Sequence, residues 1–94
     1  MKNNSIIKLR KKLDLLDNKF LNLIKKRSIL IDEILKQKTS KNQIIDRKRI
    51  KTILKDIKKK SLIKKIDKNL TERIWKVIIK ESINYEFKNF KKKK

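Results

Sequence analysis

From Leu9 to Ile34 the apolar residues recur at helical spacing: Leu9, Leu13, Leu16, Phe20, Leu23, Leu30 and Ile34. This is a single amphipathic stripe, and it predicts one helix from about Asn4 to Lys38. Such a helix is some 50 Å long at about 1.5 Å per residue. A chain of 94 residues leaves only two shorter helical segments to cover it. The stripe therefore calls for a second copy of itself, and a homodimer is the simple solution.

Three cations interrupt or border this stripe. Arg27 lies four residues after Leu23 and three before Leu30, Lys38 lies four after Ile34, and Arg10 adjoins Leu9. Helical geometry puts them on or beside the face that should be buried. A buried cation costs several kcal/mol unless an anion meets it. Two readings stay open for each of the inner two. Arg27 either pairs with a carboxylate of a neighbouring helix or meets an anionic ligand. Lys38 either caps a helix C-terminus, where the macrodipole favours it, or reaches the same ligand.

The chain contains no Gly and no Pro, so it must turn through Asn, Asp, Ser, Thr and Lys. The polar run Thr39-Ser40-Lys41-Asn42-Gln43 ends the first helix. Asp46 is a plausible N-cap for a second helix carrying Ile50, Ile53, Leu54 and Ile57. Lys58 to Asn69 is basic and less periodic, and a new element could begin at Ser61 or at Asp67. A third helix is expected from about Asn69 to Phe87, with Leu70, Ile74, Val77, Ile78 and Ile79 facing inward. No strand-like alternation is present. The expectation is all-α, with three helices per chain and a long first one. One helical domain covers residues 1–90, and a basic tail, 91–94, is expected to be solvated.

The third helix repeats the anomaly of the first. Ser82 follows Ile78 by four residues and Glu86 follows Ser82 by four, so two polar groups continue an apolar line. Either the helix end frays and Glu86 is exposed, or these groups face a ligand. Asp46 reads as an N-cap and Arg49, taken alone, as a surface arginine.

Composition narrows the chemistry. Without Cys there is neither disulfide nor thiolate, and without His the commonest general base and metal ligand is missing. The opening MKNNSIIKLRKK has no uninterrupted apolar run, so no secretory signal is expected. No segment is apolar enough to span a membrane, and a cytoplasmic location is expected. The net charge of +21 suggests nucleic acid. Yet aromatics are only 5% and the basic residues are spread over all segments. The abundance of Lys, Asn and Ile also fits an AT-rich coding bias. Of 31 basic residues only Arg10, Arg27, Arg47, Arg49 and Arg73 are arginine. Where lysine is so favoured, those arginines mark places that use the planar bidentate fork carboxylates prefer. Forks converging from different helices suit a small dicarboxylate.

The segment Leu9-Arg10-Lys11-Lys12-Leu13-Asp14-Leu15-Leu16-Asp17 resembles the opening of the all-helical chorismate mutases, whose pattern LRxxIDxLDxxLxxLLxxR continues here through Phe20, Leu23, Ile24 and Arg27. Lys38 falls where that family has its active-site lysine. Asp46-Arg47-Lys48-Arg49 resembles its DxxR, and Ile78-Ile79-Lys80-Glu81-Ser82 resembles its IIxxS. The resemblance covers residues 6 to 87.

It implies an interlocked homodimeric helical bundle with two sites, each built from both chains, and conversion of chorismate to prephenate. That reaction is a unimolecular Claisen rearrangement needing no cofactor, metal or nucleophile. By the resemblance, Arg27 and the partner's Arg10 clamp two carboxylates. Lys38 binds a carboxylate and the ether oxygen, and Asp46, Arg49 and Ser82 complete the substrate shell. Glu86 stands where the family often has Gln as donor to the ether oxygen. A carboxylate donates only when protonated, so activity is expected to favour mildly acidic pH. Ile50 replaces a Glu that bonds the ring hydroxyl, and the connection between the second and third helices lacks the usual Gly. An isochorismate-pyruvate lyase on the same scaffold is the nearer alternative, and a basic nucleic-acid-binding protein the more distant one. No specific nucleic-acid partner and no membrane partner are expected.

Overall fold

The computed structural model describes residues 2–91, with side chains from Asn4 onward. Three helices follow one another: α1 (Lys2–Gln37), α2 (Arg47–Ile63) and α3 (Lys68–Asn89), with a 3₁₀ turn at Lys41–Gln43. No strand is present among the described residues. Of the basic tail only Lys91 is described, and residues 92–94 lie outside the described part.

The chain divides into two units, Met1–Ile31 and Asp32–Lys94. The first is the leading part of α1 alone. A single helix cannot bury its own stripe, and Leu9, Leu13, Leu16, Phe20, Leu23 and Leu30 are all between 48 and 63% exposed. Arg27 is half-buried amid them.

The second unit holds the end of α1, the turn, α2 and α3. Each junction has a local cause. The Gln43 side-chain oxygen accepts from the Thr39 N–H at 2.6 Å and the Ser40 N–H at 3.1 Å, which ties off the polar run after α1. Asp46 caps α2 by accepting from the Arg49 N–H at 2.9 Å. Asp67, one of the two candidate starts, caps α3 through the Asn69 N–H at 2.9 Å. Ser61 instead lies inside α2, where it is buried. Its hydroxyl meets that of Thr71 at 2.7 Å and the Ile57 carbonyl at 2.6 Å. This contact ties the end of α2 to the start of α3, which pack together as an antiparallel pair.

Between them the backbone makes the turn without glycine. The Ile66 N–H donates to the Ser61 carbonyl at 2.9 Å and the Lys65 N–H to Leu62 at 3.2 Å, the paired bonds of a Schellman motif. Lys65 takes the left-handed position at φ 59°. A side chain there costs roughly 1 kcal/mol that glycine avoids. Lys65→Gly should therefore stabilise the fold by somewhat under about 1 kcal/mol, since glycine's freedom in the unfolded chain offsets part of the gain. A thermal melt should show a rise of a few degrees, about 4 °C, for a domain this small.

The buried hydrophobic residues among the described ones are Leu35, Ile44 and Ile79. Ile74 and Ile78 are half-buried as expected of an inward face. Leu70 and Val77 are 51 and 60% exposed, so the inner side of α3 is narrower than its spacing suggested. Both lie on flanks that neither α2 nor the end of α1 covers.

Candidate active site

Lys38 and Glu86 meet within the second unit. Lys38 Nζ donates to Glu86 Oε1 at 2.7 Å, with side chains 18 and 6% exposed. Lys38 follows the last residue of α1 and its N–H bonds the Leu35 carbonyl at 3.1 Å, so it also sits where a helix C-terminus favours a cation. The helix-capping reading and the site reading of Lys38 are thus compatible. Glu86 behaves otherwise than a frayed end would. α3 continues to Asn89, and Glu86 is buried. A buried carboxylate without a partner is heavily penalised, and Lys38 supplies that partner.

A second link lies beside the first. The Tyr85 hydroxyl donates to Asp32 Oδ1 at 2.9 Å, and Lys36 approaches Asp32 Oδ2 at 3.4 Å. The Tyr85–Asp32 bond holds the last turns of α1 against the end of α3, and so helps register Lys38 on Glu86. Sequence spacing signals the Asp32–Lys36 pair, but nothing in it points to the Tyr85–Asp32 bond.

Donation to Asp32, with some desolvation and the nearby negative charge, pushes the Tyr85 phenol above its usual 10.0. A group whose folded pKa is raised stabilises the fold fully below its unfolded pKa, and that stability is lost as pH rises through the folded value. The melting temperature should step down above about pH 10, and Tyr85→Phe should lack the step.

The remaining candidates divide between the two units. Ser82 is half-buried on α3, one turn before Glu86. Asp46 and Arg49 are exposed at the start of α2, joined through the Arg49 N–H. Arg10 and Arg27 belong to the first unit, Arg10 exposed and Arg27 half-buried. Contact through side chains is recorded between Lys38 and Glu86. Asp46 is held through Arg49's backbone, leaving the Arg49 guanidinium outside that bond.

Ile50 is half-buried and lines an open groove of about 340 Å³ with Leu54, Ile79 and Ile83, where Lys76, Lys80 and Asn84 form the polar edge. Among the described residues no His, Cys, Asp or Glu cluster could hold a metal ion, and no helix is long and apolar enough to cross a membrane. Among the described residues no buried side-chain polar atom lacks a partner. A buried lysine-carboxylate pair beside a half-buried serine can receive an anionic or ether-bearing ligand if Lys38 exchanges its partner. It offers positioning and electrostatics.

Among curated proteins and among solved structures, no match is found. The family model described as chorismate mutase type II matches residues 9–87.

Proposed function

The chain belongs to the chorismate mutase type II family and is an enzyme of that isomerase kind; on that premise we propose that it converts chorismate to prephenate in the cytoplasm as a homodimer with two shared sites. The observation that carries the reading is the buried Lys38–Glu86 pair, a cation and a potential donor in contact where the ether oxygen is to be met.

The proposed rearrangement breaks one carbon–oxygen bond and forms one carbon–carbon bond within a single molecule. The enzyme has two tasks: to hold the reactive conformer, and to stabilise negative charge growing on the ether oxygen. Lys38 turns from Glu86 to that oxygen and to a substrate carboxylate. Arg27 and Arg49 supply bidentate forks. Ser82 and the backbone near Asp46 orient the ring.

The resemblance gives Arg10 to the partner's site, and a simple length argument supports that reading. It lies nearly five turns from Arg27 on the same helix, about 26 Å at about 1.5 Å per residue. One small dicarboxylate cannot touch both in one chain. The exposed stripe of the first unit is the surface expected to pack against a second copy.

Glu86 decides what meets the ether oxygen. As a carboxylate it accepts from Lys38 and has no proton to donate. Glu86→Gln keeps the shape and adds an amide donor, so its turnover at neutral pH should exceed the parent's. Equal turnover would remove Glu86 from the ether oxygen.

Ile50 gives the ring hydroxyl an apolar neighbour in place of a carboxylate. Purified protein should therefore be assayed with both chorismate and isochorismate. Loss of chorismate with formation of prephenate supports the reading. Release of pyruvate from isochorismate, with chorismate untouched, would favour the lyase.

A further inference from the structure

Of the five arginines, Arg10, Arg27 and Arg49 are assigned to the proposed site, and Arg47 is not. Arg47 opens α2 and lines an open pocket of about 420 Å³ with Lys41, Asn42, Ile45 and Phe87. None of these five residues belongs to the proposed rearrangement site. The pocket has two kinds of wall. Ile45 and Phe87 present apolar surface, 43 and 40% exposed. Lys41 and Arg47 present charge, and neither is in an ion pair among the described residues. Asn42 accepts the Ser40 hydroxyl through its oxygen, which leaves its amide N–H groups to donate. No acidic residue lines the pocket.

The turn that carries these groups is held in place before any ligand arrives. Gln43 ties its entry through the Thr39 and Ser40 N–H groups. Ile44, only 3% exposed, anchors it to the core. A pre-set site loses less entropy on binding than a mobile one, and the volume is in the range of small-molecule pockets.

We propose that this pocket binds a small arylcarboxylate that carries no amine. The Arg47 fork matches a carboxylate in a plane, and lysine would not. Lys41 adds a second charge and Asn42 a neutral donor. The ring lies against Phe87 and Ile45, where aromatic contact adds to area burial. A ligand ammonium would meet two cations and no carboxylate, so an α-amino acid is disfavoured.

The test is a titration of ¹⁵N-labelled protein followed by amide chemical shifts. The probes are 3-phenylpropanoate, propanoate, 3-phenylpropan-1-ol and phenylalanine. Saturable shifts at Lys41, Asn42, Arg47 and Phe87 are expected with 3-phenylpropanoate. The other three should bind about tenfold more weakly or worse, the order of one lost charge-assisted or aromatic contact. Arg47→Leu should weaken 3-phenylpropanoate about tenfold and Arg47→Lys by less, because charge survives and the fork does not. Arg27→Leu should leave the binding as it is. The proposal is overturned if propanoate or phenylalanine binds as well as 3-phenylpropanoate, or if Arg47→Leu binds like the parent. Shifts confined to Lys38, Ser82 and Glu86, or no shifts at all, also overturn it. Because the titration reads no turnover, its failure is distinct from failure of the mutase reading.

Discussion

Lys38→Ala is expected to lower turnover by about 10²–10³-fold, the scale on which enzymes lose a preorganised donor to a developing oxyanion. The loss should fall mainly on kcat, because the charge growing on the ether oxygen is met only in the transition state, whereas the carboxylate contact is already made in the ground state. The same substitution strands Glu86, which is buried and has Lys38 as its ion-pair partner. Breaking a buried pair on one side destabilises by about 3–5 kcal/mol, so low activity could reflect a damaged fold. The double variant Lys38→Ala/Glu86→Gln separates the two effects. It removes the uncompensated charge and should regain most of the lost stability without regaining turnover. A Lys38→Ala enzyme with normal kcat and a raised KM would reduce Lys38 to a binding group.

The second large effect is recovery of activity from two dead chains. If Arg10 serves the opposite site, then Arg10→Ala and Lys38→Ala homodimers are each inactive. Refolded together, half the dimers are mixed. In a mixed dimer one site carries both defects and the other none. Random pairing under twofold symmetry thus restores about a quarter of parental activity. Mixed dimers shown by mass spectrometry, with no activity above either variant alone, would place Arg10 in its own chain's site. Sedimentation on the same samples checks the premise, since a folded monomer at micromolar concentration would leave no route for sharing.

Some of this was readable from residue order and some was not. α1 was legible because its stripe keeps a helical period without a breaker, and its end came within a residue or two of Lys38. Asp46 was legible as a cap because aspartate favours that place before a periodic run, whereas Asp67 was only one of two candidate starts, with Ser61. The width of α3's inner face was not. Leu70 and Val77 carry the same hydrophobicity as Ile79, and only the placement of α2 and the end of α1 decides which of them is covered. Lys65 gave no signal, because a chain with no glycine hides its left-handed positions among ordinary residues. In the site, helical spacing singled out Lys38, Ser82 and Glu86 as polar groups on apolar lines. That Glu86 is buried and that Lys38 is its partner required the fold, because spacing also permitted a frayed helix end. The chemical role of each residue came from the resemblance to a family and not from periodicity.

Among the described residues Leu35, Ile44 and Ile79 make a very small interior. If the leucines of α1 find cover only on a second copy, folding is a second-order process. Dilution then acts as a denaturant, and the melting temperature rises with protein concentration. Activity per chain would itself depend on expression level, falling faster than the amount of protein as synthesis slows. A cell making little of this enzyme would hold mainly unfolded chain, with catalysis switched on by abundance alone.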